Sequence, residues 1–270
     1  MNTNAFVRLS FTKYTQKGYS VSSKPPVLVL HGFLGSKSNW HTFCKILHKR
    51  TQRTFFALDL RNHGYSPHAA PHNYHAMVSD IFAFIEQHHL DSVILLGHSM
   101  GAKVSMGAAL IQPTRVAATI LVDNAPVCAD VGSITRVSAL ALLRVASTLP
   151  QSLKIASQIL EDMIPDESVR RLLLSNLVRC SDGRLRSRLP LPLLIYSLRA
   201  IGDFPFNGVF VKPTLLIRGR YSNFVPDILL SSVYRVFPSA HVVSLDGGHW
   251  IHVEQPEQFI SAVESFLQTN

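Results

Sequence analysis

Cysteine is scarce. Cys44, Cys128 and Cys180 are the three in 270 residues, an odd number with no C-x-x-C spacing. They offer neither a disulfide framework nor a zinc ribbon, and they fit a reducing compartment. Long apolar runs are missing too. No stretch approaches the roughly 18 residues that span a bilayer, and no secretory apolar segment stands at the start. The longest charge-free stretch, residues 62–79, is rich in His, Pro and polar residues and reads as a loop. Charged residues make up 16% against 47% hydrophobic. That balance excludes intrinsic disorder and allows a sizeable core in one large domain or two small ones. Acid is absent from the first 58 positions, which hold nine Lys/Arg. Residues 59–270 then balance at 17 of each sign, so the net charge of +9 is entirely N-terminal. No nucleic-acid motif accompanies that charge, which argues against nucleic-acid binding.

Strand–helix alternation fills most of the chain. Val7, Leu9 and Phe11 alternate with Arg8, Ser10 and Thr12, the two-residue period of a strand. Short apolar runs follow at Val27–Leu30, Phe55–Leu58, Val93–Leu96, Ala117–Val122, Thr214–Ile217 and Val242–Leu245, as expected of strands buried on both faces. Helical patterns lie between them: one capped by Ser38 and running to about Arg50, one from Tyr74 to His88, and a last one from Pro256. The alternation predicts an α/β fold, a mostly parallel sheet with helices on both faces. Between Ala125 and Val211 the rhythm breaks. Ser138–Leu149, Leu153–Ile164, Ser168–Cys180 and Leu193–Ile201 read as helices, with no convincing strand. Some 85 residues are too many for a loop. The expected organisation is a core of residues 1–124 and 212–270 with a helical lid, residues 125–211, inserted between two strands.

The sharpest chemical signal is Gly97-His98-Ser99-Met100-Gly101, preceded by an apolar strand and followed by a helical pattern. G-x-S-x-G in that context is a nucleophile elbow, a tight turn that lifts a serine hydroxyl above the sheet edge. A serine needs a base. Of 13 histidines, His249 stands just past the last strand in Asp246-Gly-Gly-His249 and so at the same edge as Ser99. His252 is the alternative base, and His98 is expected to pack inward. His68, His72 and His75 sit in a loop without carboxylates, so no metal is expected there. The base needs an orienting carboxylate. Asp123, directly after the fourth buried strand, is preferred to Asp227, and Asp246 reads as a turn-former. The chain leaving Val27–Leu30 through His31-Gly32 can aim the Phe33 N–H at the elbow. That makes the N–H groups of Phe33 and Met100 the expected oxyanion donors, with the Phe33 and Leu34 side chains as candidate substrate walls.

These segments resemble the α/β-hydrolase superfamily over nearly the whole chain. The abhydrolase-domain branch, with its mitochondrial serine hydrolases, fungal ethanol acetyltransferases and small bacterial esterases, is the most similar. The resemblance rests on His31-Gly-Phe-Leu-Gly-Ser36-Lys-Ser-Asn39, Asp59-Leu-Arg61-Asn-His63-Gly-Tyr-Ser66-Pro-His68, Gly97 to Lys103, Val122-Asp123-Asn-Ala-Pro126 and Gly248-His249-Trp-Ile-His252. In that branch the acid follows the strand after the nucleophile helix, which also favours Asp123, and the usual Leu-Phe order is swapped here to Phe33-Leu34. The resemblance implies an esterase or thioesterase working through an acyl-serine, on a small acyl ester or thioester, with no cofactor. Acyl transfer to an alcohol and a non-catalytic scaffold are the alternatives. It also implies a mitochondrial location, with the cytoplasm second, and any presequence short or overlapping the first strand. Stable membrane insertion is not expected.

Overall fold

The computed structural model describes residues 6–15, 24–129 and 131–270. Its elements run β1 (Phe11–Tyr14), β2 (Val27–Leu30), α1 (His41–Thr51), β3 (Phe55–Leu58), α2 (Tyr74–Gln87), β4 (Val93–His98), α3 (Met100–Ile111) and β5 (Val116–Val122). Next come α4 (Gly132–Thr148), α5 (Leu153–Glu161), α6 (Glu167–Leu174), β6 (Leu177–Arg179), β7 (Leu185–Ser187), α7 (Leu191–Tyr196) and α8 (Leu198–Gly202). The chain closes with β8 (Thr214–Gly219), α9 (Leu230–Val236), β9 (Ala240–Leu245), α10 (Ile251–Glu254) and α11 (Pro256–Thr269).

The apolar runs become a seven-stranded sheet in the order β1-β3-β2-β4-β5-β8-β9. All its pairs are parallel except β1 with β3. Each residue of β2 is buried, because the two faces of the strand enter different cores. Val27 and Val29 pack with Trp40, Leu47, Phe259 and Val263 under α1 and α11, while Leu28 and Leu30 pack with Met77, Ile81, Val104 and Met106 under α2 and α3. This is the mostly parallel α/β sheet that the alternation predicts, in the α/β-hydrolase fold that the resemblance implies. Since the inner strands are parallel, the loops after β2, β4, β5, β8 and β9 all leave at one edge.

Four expectations need correction. Only Phe11–Tyr14 pairs with β3. The Val7 and Ser10 N–H groups donate instead to Asp80 Oδ1 at 2.7 Å and Ser66 Oγ at 2.8 Å, so the alternating segment begins outside the ladder. The helix expected to start at a Ser38 cap is a 3-10 turn from Lys37 to Trp40 that runs into α1, with Asn39 Oδ1 accepting the Ser36 N–H at 2.7 Å. The segment expected as a helix over Ser168–Cys180 ends at Leu174, and β6 and β7 form an antiparallel hairpin in its place. The leucine spacing runs on into β6, but Ser175-Asn176 interrupts the helix, and Gly183, at φ +79°, supports the hairpin turn. Strands of three residues are too short for a two-residue period to declare itself. The helix expected near Leu193–Ile201 is two short ones broken at Ser197, whose Oγ donates back to Leu193 O at 2.8 Å.

The segment between β5 and β8 is tied to the sheet edge by buried hydrogen bonds. Asn176 Nδ2 donates to Leu34 O at 2.9 Å, Tyr74 Oη to Ile201 O at 2.7 Å, and Lys103 Nζ to Gly202 O at 2.9 Å. Below it, Arg61 grips Asp80 with two parallel bonds, Nε to Oδ2 at 2.6 Å and Nη2 to Oδ1 at 2.7 Å, joining the loop after β3 to α2. Both side chains are almost solvent-free. Burial pushes the Asp80 carboxyl up, and the Arg61 hydrogen bonds hold it down. Removing one member of such a pair strands the other charge. Arg61→Met should therefore cost about 3–5 kcal/mol in chemical denaturation, and pairing it with Asp80→Leu should recover much of that loss.

Candidate active site

β4 runs directly into Ser99, whose backbone sits at φ +52°, ψ −115° before α3 begins. A side chain held at positive φ is strained. Two contacts hold it there: the Ser99 N–H donates to Val122 O at 2.9 Å, and Asn124 Nδ2 donates to Ser99 O at 3.1 Å. The flanking glycines are required by space. A Cβ on Gly97 would stand 2.1 Å from Gly101 O, and one on Gly101 would stand 2.4 Å from Leu30 O. Ser99 thus stands at the N-terminus of α3, where the first N–H groups lack intrahelical partners.

The loop after β9 carries His249 to this point. His249 Nε2 lies 3.0 Å from Ser99 Oγ, and His249 Nδ1 lies 2.7 Å from Asp123 Oδ2. With the Nδ1–H donated to Asp123, Nε2 is left to accept the serine proton. The ring is stacked face to face on Phe224, with centroids 3.7 Å apart. Its backbone is fixed on both sides by Glu254, which accepts the Gly248 N–H at 2.6 Å and the Trp250 N–H at 3.1 Å. His98 does more than pack: its Nε2–H donates to His249 O at 2.9 Å. His252, the alternative base, stacks on Trp40 at 4.6 Å and against His98, and burial pushes it down to about 3.

Asp123 is fully buried. Besides His249, it accepts the Gly219 N–H at 3.1 Å and the Ser222 hydroxyl. Gly219 ends β8 and Ser222 lies in the turn after it, the alternative place for an acid. In this chain the strand end and that turn supply the anchors of the carboxylate. Asp227 is 86% exposed and pairs with Arg218, and Asp246 pairs with Arg220 at 2.6 Å, so neither joins the His249 ring.

The loop after β2 is held by neutral histidines. Leu34, at φ +60°, donates its N–H to His63 Nε2 at 3.2 Å, and His63 Nδ1–H donates to Arg61 O at 3.0 Å. His31 accepts the Leu60 N–H on Nε2 at 3.0 Å and donates Nδ1–H to Gly32 O at 2.8 Å. Leu34 O is taken by Asn176. Among the described residues, the N–H groups of Phe33 and Met100 have no hydrogen-bond partner. Phe33 lines both cavities that open at Ser99, and Leu34 lines one of them. His72 is buried against Asn62 and His63. Among the described residues no cluster of three or more His, Cys, Asp or Glu could hold a metal ion. Asn124, Asn176, Ser222, Phe224 and Glu254 went unnoticed in the sequence. Asn124 lies within Val122 to Pro126, and the others meet the site through the fold.

Known proteins share this fold. The family described as the alpha/beta hydrolase fold matches residues 25–160. An abhydrolase domain-containing protein of Schizosaccharomyces pombe is 37% identical over 97% of each chain. The sn-1-specific diacylglycerol lipase ABHD11 of Danio rerio is 35% identical over 99% of this chain and 85% of its own. Ethanol acetyltransferase 1 of Kluyveromyces marxianus is 30% identical over 91% and 75%. A marine microorganism esterase superposes with a TM-score of 0.88 at 29% identity, covering 96% of this chain and 99% of its own. The chain therefore belongs to the α/β-hydrolase family. Within it, these relatives set the chain in the abhydrolase branch shared by the diacylglycerol lipases and yeast acetyltransferases.

Burial holds the imidazoles of His31, His63 and His98 below the ordinary histidine value and pushes His72 to about 3. Below about pH 6.5 the unfolded chain takes up protons that these folded rings refuse. Stability should therefore fall as pH drops from about 6.5 towards 3, by up to about 1.4 kcal/mol per pH unit for each such ring. Thermal melts between about pH 7.5 and 5 should show a declining Tm, and His72→Asn should flatten the decline by one proton. A Tm independent of pH in that window would contradict the neutral assignment.

Proposed function

We propose that the protein is a serine hydrolase that cleaves carboxylic esters or thioesters through an acyl-serine. The observation that carries this is the unbroken chain from Ser99 Oγ through His249 to the buried Asp123. Ser99 Oγ attacks the acyl carbonyl as His249 Nε2 takes its proton. Asp123 holds the ring in the tautomer that leaves Nε2 free and stabilises the imidazolium. The developing oxyanion is received by the Phe33 and Met100 N–H groups, which are preorganised by the Leu34 grip and by the start of α3. Each such donor is worth about 3 kcal/mol in related sites. His249 then gives its proton to the leaving oxygen or sulfur, and water attacks the acyl-serine by the reverse path. Residues 125–211 act as the lid over this edge, in the role expected of an insertion between two strands. The complete hydrogen-bond chain argues against a non-catalytic scaffold.

Acyl transfer to an alcohol is the second reading, supported by the similarity to ethanol acetyltransferases. The same residues serve it, with the alcohol replacing water at deacylation. We assign the protein to the mitochondrion on the acid-free, basic first 58 residues and the branch resemblance, with the cytoplasm as the alternative that fractionation tests.

Ser99→Ala should abolish hydrolysis and labelling by a fluorophosphonate probe without loss of fold. Asp123→Asn should slow turnover by about 10⁴-fold, as in other triads, whereas Asp227→Asn should leave it near wild type. The reverse outcome for the two aspartates would overturn the acid assignment. With an acetyl thioester and rising ethanol, the ratio of ethyl acetate to acetate separates transfer from hydrolysis.

A further inference from the structure

Two cavities meet at Ser99. They share Phe33, Ser99 and Thr135 in their walls and are otherwise lined by different residues. The first, about 100 Å³, carries His249 and Trp250. It adjoins a further cavity of about 270 Å³ through the shared walls Gly32, His98, Leu172 and Trp250, and there Asn39, Ser168, Arg171 and Ser175 supply polar groups. The second, about 150 Å³, lies on the Met100 side and is walled by Val127, Val131, Ile201 and Leu229, with Lys103 among its lining.

Proton transfer decides which part of a substrate enters which cavity. When the Ser99 Oγ–acyl bond forms and the bond to the leaving group breaks, the serine proton passes through His249 Nε2 to the leaving oxygen or sulfur. The leaving group must therefore lie on the side that His249 lines. The carbonyl oxygen turns to the Phe33 and Met100 N–H groups, and the remaining substituent, the acyl chain, points to the Met100 side. We propose that the Met100-side cavity is the acyl pocket and the His249-side pair receives the leaving group, which makes the enzyme selective for short acyl groups on a larger alcohol or thiol. This rests on the acyl-serine reading above.

Size and charge both limit the acyl group. A cavity of about 150 Å³ has room for a molecule as large as benzene, so an acyl group of up to about six carbons fits. Lys103 resists a longer chain. It is 3% exposed, and its Nζ donates to Gly202 O and Asp203 O at 2.9 Å each. No carboxylate pairs with it among the described residues, and an alkyl chain pressed against a buried ammonium would strip what solvation it has left. Burial lowers Lys103 to about 8, so it stays largely protonated at neutral pH. On the other side the walls include Trp40, Leu172, Trp250 and Val253, Glu167 holds the Arg171 guanidinium and Leu172 O takes the Ser175 hydroxyl, so the cavity suits a larger, mainly apolar partner that the Ser168 hydroxyl can meet.

Glycerol monoesters of acetate, butyrate, hexanoate and decanoate, hydrolysed by the full chain, test the assignment. Specificity as kcat/KM should hold up to hexanoyl and drop at least about tenfold at decanoyl, the loss of some 1.4 kcal/mol of transition-state binding. Equal or better hydrolysis of the decanoyl ester overturns the proposal on the wild-type protein alone. Ile201→Ala combined with Leu229→Ala should move the optimum to longer chains, while Leu172→Ala should admit bulkier alcohols and leave the acyl optimum where it was. If Leu172→Ala is the change that admits decanoyl, the two cavities are assigned the wrong way round. Fluorophosphonate labelling of Ser99 in each protein separates the two failures. A wild type that does not label sinks the acyl-serine reading, whereas labelling without chain-length selectivity sinks only the division of the cavities.

Discussion

A carboxylate sealed from water is tolerable only when its lone pairs are occupied by donors, and Asp123 is such a group. It accepts from Gly219 N–H, from Ser222 Oγ and from His249 Nδ1. These partners arrive on the ends of β8 and β9, while Asp123 itself ends β5 and Ser99 ends β4. The order β4-β5-β8-β9 is therefore what builds the centre. A sheet with the same strands in another order would keep its core and lose this convergence. The 91 residues between β5 and β8 do not disturb it, because the two strands still pair in parallel, Thr119 with Thr214 through Val122 with Ile217.

A second layer of polar groups keeps the backbone of the site in place. His31, His63 and His98 each reach a main-chain group with a ring nitrogen, and burial keeps them uncharged. A neutral imidazole offers one donor and one acceptor at a fixed separation. That suits it to bridging two loops in a dry interior, where a Lys or Glu would need a counter-ion. These three rings thus serve the backbone, and His249 is set apart by its bond to the Ser99 hydroxyl.

Much of this was legible in the chain. The buried strands declare themselves because both faces are apolar, and Gly97-His-Ser99-Met-Gly101 declares the elbow because sterics leave few residues that fit it. His249 follows from its place after the last strand. Strand position favours Asp123 over Asp227, and in the structure Gly219 at the end of β8 and Ser222 in the turn after it are donors to Asp123. The hairpin of β6 and β7 was hidden because its leucines prolong the spacing of α6. Phe224, Asn176 and Glu254 were hidden for a different reason. Each acts across a long loop on a partner that only the folded chain brings near, and nothing in their own neighbourhoods marks them.

Asn176 ties two regions that are otherwise far apart in sequence. Its amide holds the carbonyl of Leu34, whose N–H is held by His63, so one peptide unit of the β2 loop is clamped between the sheet edge and the inserted segment. Swinging that segment away to let a bulky molecule in or out breaks one jaw of the clamp. Admission and readiness to stabilise negative charge would then exclude each other. In the proposed lid role, opening would leave the loop slack and closing would restore its rigidity as water leaves.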